Sequence, residues 1–332
     1  MLFPKFKKFM ADNDLIREGD GVIVAVSGGI DSMVLLDLFC RVAGPMKLSL
    51  RAAHVNHMLR DRASGEDEAL VRKFCGKMGI PCEVQRRRPP AGKNLQDAAR
   101  RIRYDFFKSS AEKGRAFSIA TAHHMDDQAE TILLHLIRGA GLAGLAGMRP
   151  KARIGALKLV RPLLFASRAE IEQYAKQRHI EYNDDATNAT VKYARNSVRH
   201  RLIPLLKEFN PRIVENIAAI GDRADADEKA LRLFAEESLD QALTRNSRDE
   251  IWLSRQAWLP LPQAVRGRML RAAFERASGS AKDLNADQLL RMDSIAAGPR
   301  PSGSYRLPAP WKFHRDGDLI GITRSAKKCD RK

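Results

Sequence analysis

The chain has 332 residues, 44% of them hydrophobic, which is enough for about two domains with buried cores and too apolar for a disordered or collagen-like chain. Its 58 Lys and Arg against 40 Asp and Glu give a net charge of +18, which favours a polyanionic partner such as nucleic acid. The cysteines, Cys40, Cys75, Cys82 and Cys329, form no CxxC pair, so neither a zinc ribbon nor a disulfide framework is indicated and a reducing cytoplasm fits best.

The first residues, MLFPKFKKFMADNDL, lack the apolar core of a secretory signal, and the most apolar later stretch, 131–148, is interrupted by His135 and Arg138. A soluble, untargeted protein with no membrane partner is expected. Four short apolar runs then read as strands: Val22–Val26 (VIVAV), Leu48–Val55, Cys82–Gln85 and Phe117–Thr121. Amphipathic helices are expected over Ser32–Val42, Glu66–Met78, Leu95–Glu112 and Asp127–Arg138. This alternation predicts an α/β fold with a doubly wound, Rossmann-like parallel sheet, whose ligands gather at the carboxyl ends of the strands.

Residues 51–200 carry 28 basic against 16 acidic side chains, whereas 201–250 carry eight against eleven. The acidic stretch, roughly Asn216–Gln241, has no proline and apolar residues at helical spacing, so a long linker helix is expected there. That places a boundary between a first domain, 1–215, and a second, mainly helical domain, 216–332. Within the latter, GPRPSGS (298–304) reads as a turn and WKFHRDGDLIGITR (311–324) as a short strand region.

VIVAV runs directly into Ser27-Gly28-Gly29-Ile30-Asp31-Ser32 and then into MVLLDLF. Strand, glycine turn and helix start follow in the order an anion site needs: glycines admit a phosphate, and hydroxyls with helix-start amides donate to it. An ordinary turn with Ser32 as N-cap is the bland alternative. No GK[ST] follows, so this is not a Walker loop. Gly139–Gly144 matches GxGxxG by letter but follows a helix, so it reads as a glycine-rich loop or a plain interdomain turn.

After FSIAT comes AHHMDDQAET, in which Asp127, Glu130 and Thr131 share one helix face. A capping-box imitation and metal ligation by His123, His124, Asp126 and Asp127 are alternatives. A carboxylate pair at a strand end beside a phosphate loop suits an ammonium group, so a cationic amine substrate is indicated.

SGGIDS (27–32) resembles the PP-loop of the ATP pyrophosphatases, which cleave ATP between its α and β phosphates. HVNHMLR (54–60), LQDAARRIRYDFF (95–107), TAHHMDDQAETILLHLIRGAGLAGLAGM (121–148), RPLL (161–164) and NDDATNATVKYARNSVRHRLIPLL (183–206) extend the likeness in order. Together they resemble the tRNA(Ile)-lysidine synthase family, strongly over about 20–220. The resemblance implies an ATP-dependent carbon–nitrogen ligase that adenylates C2 of the wobble cytidine in tRNA(Ile) with a CAU anticodon, then joins L-lysine to it. By motif, Ser27, Gly28, Gly29, Ile30, Asp31 and Ser32 would bind ATP, with Asp31 also a Mg²⁺ ligand. Asp31, Arg103, His123 and Asp127 would be catalytic, Asp127 and Glu130 would orient lysine, and Arg195, Asn196 and Arg199 would contact tRNA. A homodimer is compatible with it.

Two rivals stand beside this reading. A PP-loop tRNA thiolase would need reactive cysteines or a cluster motif, and Cys75 and Cys82 lie away from the crevice motifs. A non-enzymatic RNA-binding protein would explain the charge but not SGGIDS.

Overall fold

The computed structural model describes residues 1–59, 61–90, 92, 95–114, 116–183, 194–247 and 249–325. They divide into two compact units, Met1–Asp225 and Ala226–Lys332, and the division falls inside a long helix.

The first unit runs α1 (Leu2–Asp12), β1 (Gly21–Ala25), α2 (Ile30–Ala43), β2 (Ser49–Asn56), α3 (Asp61–Met78), β3 (Cys82–Arg86), α4 (Leu95–Gly114), β4 (Ser118–Ala120), α5 (Met125–Ile137) and α6 (Leu142–Leu145). It continues with β5 (Lys151–Ile154), β6 (Leu157–Val160), α7 (Arg168–Arg178), α8 (Ala194–Ser197), a π-helical turn Val198–Leu202, α9 (Ile203–Phe209) and α10 (Ile213–Ala242). The sheet order is β3-β2-β1-β4-β6-β5, with all neighbours parallel except the β5–β6 hairpin. Chain order reverses between β1 and β4, which pair directly. The loops leaving those two strands therefore open on the same crevice.

Strand alternation sorts the core into two layers. Val22, Val24 and Leu50 face α1, α2 and α7, where Phe6 meets Phe39 edge to face at 5.5 Å. Each such fully buried ring contributes roughly 1.5–3 kcal/mol. Ile23, Ala53, Ile119 and Leu159 face the other way, onto Phe106 and Phe107 of α4. The first layer is pinned by polar bonds as well: the Tyr174 hydroxyl of α7 donates to the buried Asp37 carboxylate of α2 at 2.6 Å. A smaller cluster joins α5 to the later helices through Ile132, Leu133, Val198, Ile203 and Ile217.

The second unit holds the end of α10, then β7 (Leu243–Asn246), β8 (Glu250–Ser254), α11 (Arg255–Trp258), α12 (Gln263–Ser278), α13 (Ala286–Ala297), β9 (Ser302–Arg306), β10 (Trp311–Asp316) and β11 (Leu319–Arg324). The expectation of a mainly helical second domain is corrected here. A five-stranded antiparallel sheet, β7-β8-β11-β10-β9, packs with the helices around Trp258, Phe274 and Phe313. β10 and β11 announce themselves most clearly, through the Asp316-Gly317 turn with Gly317 at φ +55°. No described helix is long and apolar enough to cross a membrane.

Candidate active site at the carboxyl edge of the parallel sheet

The loop leaving β1 is drawn tight by its own hydroxyls. Ser32 Oγ donates to the Gly29 carbonyl at 2.8 Å and accepts from the Ser27 amide at 3.0 Å, and the two hydroxyl oxygens stand 3.1 Å apart. Gly29 enters α2 as an extended N-cap, leaving the amides of Ile30 and Asp31 without intrahelical partners in the first turn, where an anion is favoured. Gly28 sits at φ +96°, and a Cβ there would lie 3.1 Å from Asp67 Cβ and Oδ1. Asn183 donates its amide to the Gly28 carbonyl at 3.1 Å and its Nδ2 to Asp67 at 2.9 Å, so backbone and side chain lock the turn together. Glycine is required at this position on both conformational and steric grounds. Left-handed backbone costs about 1–2 kcal/mol for an L-residue. Gly28→Ala is expected to weaken ATP binding at least tenfold by calorimetric titration; unchanged affinity would mean that the turn does not shape the ligand site.

The loop leaving β4 faces it. His124 is buried and central: its Nε2 lies 3.8 Å from Asp31 and 3.5 Å from Asp127, and its Nδ1 lies 3.5 Å from Asp126. Asp31 receives two bonds from Arg168 Nη1, at 2.9 and 2.7 Å, and Asp126 accepts the Arg168 amide at 2.8 Å. Asp127 caps the His124 amide at 3.2 Å, which satisfies the capping reading for one oxygen only. Its other oxygen accepts from Arg195 at 3.2 Å and Arg199 at 3.1 Å. Glu130, 1% exposed, caps nothing; it lies between Arg195 Nε at 2.8 Å and Arg199 Nε at 2.5 Å. Arg199 reaches it from the π-helical turn, a distortion often found at functional sites.

Of the residues picked from sequence, Asp31, Asp127, Glu130, Arg195 and Arg199 thus form one connected array through His124 and shared carboxylates. Asn196 follows Arg195 in α8, one element before Arg199. His123 Nδ1 and Thr121 Oγ1 share a hydrogen bond at 2.9 Å, and His123 lies within electrostatic reach of Asp127. Arg103 is exposed on α4 and has no ion-pair partner among the described residues. The sequence offers His124 only as an alternative metal ligand and gives no sign of Arg168: the HH doublet does not say which ring turns inward, and the Ser167–Glu170 capping box marks the start of α7 without revealing what Arg168 meets. Among the described residues no group of three or more His, Cys, Asp or Glu is placed to hold a metal, so the HHMDD segment does not form such a cage there. Gln128, buried in α5, fastens the glycine-rich segment by bonds to Ala146, Met148 O and Met148 N at 3.2, 3.1 and 2.7 Å.

Electrostatically the array is balanced against desolvation. Burial pushes the Asp31 carboxyl up, more than His124 and Arg168 pull it down. Burial would raise Asp127 too, but His124, His123, Arg195 and Arg199 outweigh it and hold it low. Burial opposes charge on His124, yet Asp126, Asp127 and Asp31 raise its pKa. Burial takes His123 down to about 4, helped by Arg161, Arg195 and Arg100 against Asp127. The two histidines therefore titrate in opposite senses. As pH falls from about 6.5 towards 4, the unfolded chain binds a proton at residue 123 that the native state refuses, and stability drops by up to about 3 kcal/mol. The His124 contribution is complete below about 6.5 and is lost as pH rises through its raised value. Denaturant titrations of His123→Asn should show a flatter acid limb than the parent; parallel limbs would assign the titration elsewhere.

A family model described as a PP-loop domain matches residues 2–206, and one described as the TilS substrate binding domain matches 253–318. The chain is 36% identical over 336 residues to the tRNA(Ile)-lysidine synthase of Geobacillus kaustophilus, a match covering 99% of this chain and 72% of that one. It is 36% identical over 325 residues to the enzyme of that name from Geobacter sulfurreducens, covering 96% and 68%. Among solved structures, the U34-tRNA thiolase NcsA from Methanococcus maripaludis superposes with a TM-score of 0.57 at 19% identity, over 67% of this chain and 78% of that one. At that identity the likeness speaks for the fold alone.

Proposed function

The chain belongs to the tRNA(Ile)-lysidine synthase family, ATP-dependent ligases that form lysidine in tRNA(Ile), and from that premise we propose how its residues divide the work. ATP lies with its phosphates on the Ser27–Ser32 loop and the first turn of α2. The wobble cytidine of the CAU anticodon presents its C2 oxygen to the α-phosphate; the O–P bond forms as the bond to pyrophosphate breaks. The lysine amine then attacks C2, the C–O bond breaks, AMP leaves, and the attacking nitrogen gives up a proton.

Asp31 would supply an oxygen ligand to Mg²⁺ beside the leaving pyrophosphate, a fit that rests on the donor type: one carboxylate at the phosphate loop. Magnesium is commonly held by one or two carboxylates plus phosphate oxygens and water, and it neutralises charge on the departing group. Asp127 and Glu130 carry the charge that selects the lysine ammonium, with Asp127, 14% exposed at its side chain, as the group that meets it. His123, held neutral, and Arg103 stand on the phosphate and cytidine side of the crevice. Arg195, Asn196 and Arg199 meet tRNA by their outward parts, since the two arginines remain 41% and 34% exposed while gripping the carboxylates. The second unit adds tRNA surface, and the net charge of +18 supplies the attraction. A reducing cytoplasm suits the free thiols of Cys40, Cys75 and Cys82.

The observation that supports this reading is the approach of Asp31 and Asp127 to one histidine, 3.8 and 3.5 Å away, which brings the Ser27–Ser32 loop near the carboxylate proposed to meet lysine. Incubation with tRNA(Ile), ATP and labelled lysine, followed by nucleoside analysis, should yield labelled lysidine only when all three are present. Label incorporation independent of ATP, or sulfur transfer in its place, would overturn it.

A further inference from the structure

Arg161 leaves β6 beside the strand that delivers His123. Ala120 and Val160 are paired in register, and the Thr121 amide donates to the Val160 carbonyl at 3.0 Å. The Arg161 side chain is 8% exposed as a residue, yet no carboxylate pairs with it among the described residues. Its Nη1 donates to the Arg149 carbonyl at 2.6 Å, while its Nε is buried without a hydrogen-bond partner. A buried guanidinium with an orphan donor and no counter-ion is costly, and the cost calls for an acceptor the polypeptide does not supply.

The neighbourhood repeats the pattern. On α4, Arg100 and Tyr104 share a face, and the exposed Arg100 guanidinium lies over the Tyr104 ring at 5.0 Å from its centroid. Neither Arg100 nor Arg103 has an ion-pair partner among the described residues. Burial holds Arg161 below the usual guanidinium value, with Tyr104 opposing the shift and the charge of Arg100 adding to it. This contrasts with the Asp31–Asp127 side of the crevice, where every arginine grips a carboxylate.

We propose that Arg161 and Arg100 form a phosphate subsite on the His123 side of the crevice, the buried Nε–H of Arg161 donating to a phosphate oxygen and Arg100 closing over it. Guanidiniums suit this task because their fork matches phosphate geometry and their weak hydration tolerates burial. The phosphate belongs either to ATP or to the tRNA backbone beside the wobble cytidine. The inference rests on the lysidine synthase reading and adds two binding residues to it.

The test compares Arg161→Gln, Arg161→Lys and Arg100→Gln with the parent protein. Equilibrium dialysis gives ATP affinity without tRNA; filter binding over a salt series gives tRNA(Ile) affinity without ATP. An ATP phosphate predicts that both glutamine variants lose at least tenfold in ATP affinity and none for tRNA. A tRNA phosphate predicts the reverse, with the logarithmic salt slope shallower by about one. Arg161→Lys keeps the charge without the fork and should recover only part of the loss. Arg100 is on the surface, so its variant decides the matter even where Arg161→Gln fails to fold. Parental affinity for both ligands in folded variants overturns the subsite, whereas a parent protein that makes no lysidine overturns the underlying reading instead.

Discussion

Asp31→Asn lowers lysidine formation by a factor of at least about 10³, equivalent to about 4 kcal/mol of transition-state stabilisation, while tRNA(Ile) affinity and melting temperature stay near the parent's. Asparagine keeps the size of the side chain and one oxygen for the Arg168 guanidinium, which now bonds Asp31 at 2.9 and 2.7 Å, so the fold should persist. What it removes is the anionic oxygen proposed to hold Mg²⁺ at the leaving pyrophosphate, and electrostatic groups of that kind are worth several kcal/mol. The competing account is that Asp31 only anchors Arg168 and the start of α7. Arg168→Gln separates the two, since an anchoring role makes both variants lose the same activity, whereas a metal-holding role leaves Arg168→Gln far more active. Single-turnover release of pyrophosphate is the measurement. Parental AMP formation by Asp31→Asn would remove this loop from the chemistry.

Asp127→Asn and Glu130→Gln are expected to part company, although the two carboxylates share a helix face and two arginines. Asp127 keeps 14% exposure, and one of its oxygens is spent on the His124 amide. Removing its charge should raise the KM for lysine at least tenfold, since a charge-assisted bond to an ammonium is worth roughly 1.5–3 kcal/mol. The KM for ATP should hardly move, and adenylation of tRNA, seen as a single-turnover pyrophosphate burst, should continue without lysidine. Glu130 is 1% exposed and gripped by both guanidiniums. Neutralising it leaves Asp127 as the one carboxylate shared by two arginines that are 41% and 34% exposed, so Glu130→Gln should show first as a modest loss of thermal stability, about 1 kcal/mol. Equal lysine dependence in folded Asp127→Asn and the parent would move ammonium recognition elsewhere in the crevice.

The parallel half of the fold is legible in sequence because its strands are buried on both faces and read as apolar runs: VIVAV becomes β1 and FSIAT contains β4, each within a residue or two of its expected bounds. The antiparallel half is not. LTRN of β7 and SGSYR of β9 expose most of their side chains, so no alternation betrays them, and only the apolar Ile251 and Leu253 of β8 and the Asp-Gly turn carry a signal. The helix α1 is hidden for another reason. Leu2, Phe6 and Met10 do recur at helical spacing, but Pro4 and three lysines among them mask the pattern until Phe39 is there to receive Phe6. At the site, strand ends point to Asp31 and Asp127, whereas pairing across long sequence separations is invisible: nothing near residue 168 or 199 names its carboxylate partner.

Those separations bear on how the protein is made. The Arg168–Asp31 and Tyr174–Asp37 bonds each join residues 137 positions apart, and Asn183 reaches back to Gly28. At about 5–20 residues per second on the ribosome, the phosphate loop is synthesised roughly 7–27 s before its counter-ion exists. During that interval α2 lacks the neighbour that covers its Asp37 face, and the nascent chain carries the nucleotide motif without a competent nucleotide site. Stalled chains ending before α7 should therefore fail to gain protease resistance on adding ATP, and acquire it once residue 183 has emerged. Contacts between residues far apart in sequence make ATP binding a late event of biosynthesis, although its signature at residues 27–32 is synthesised well before them.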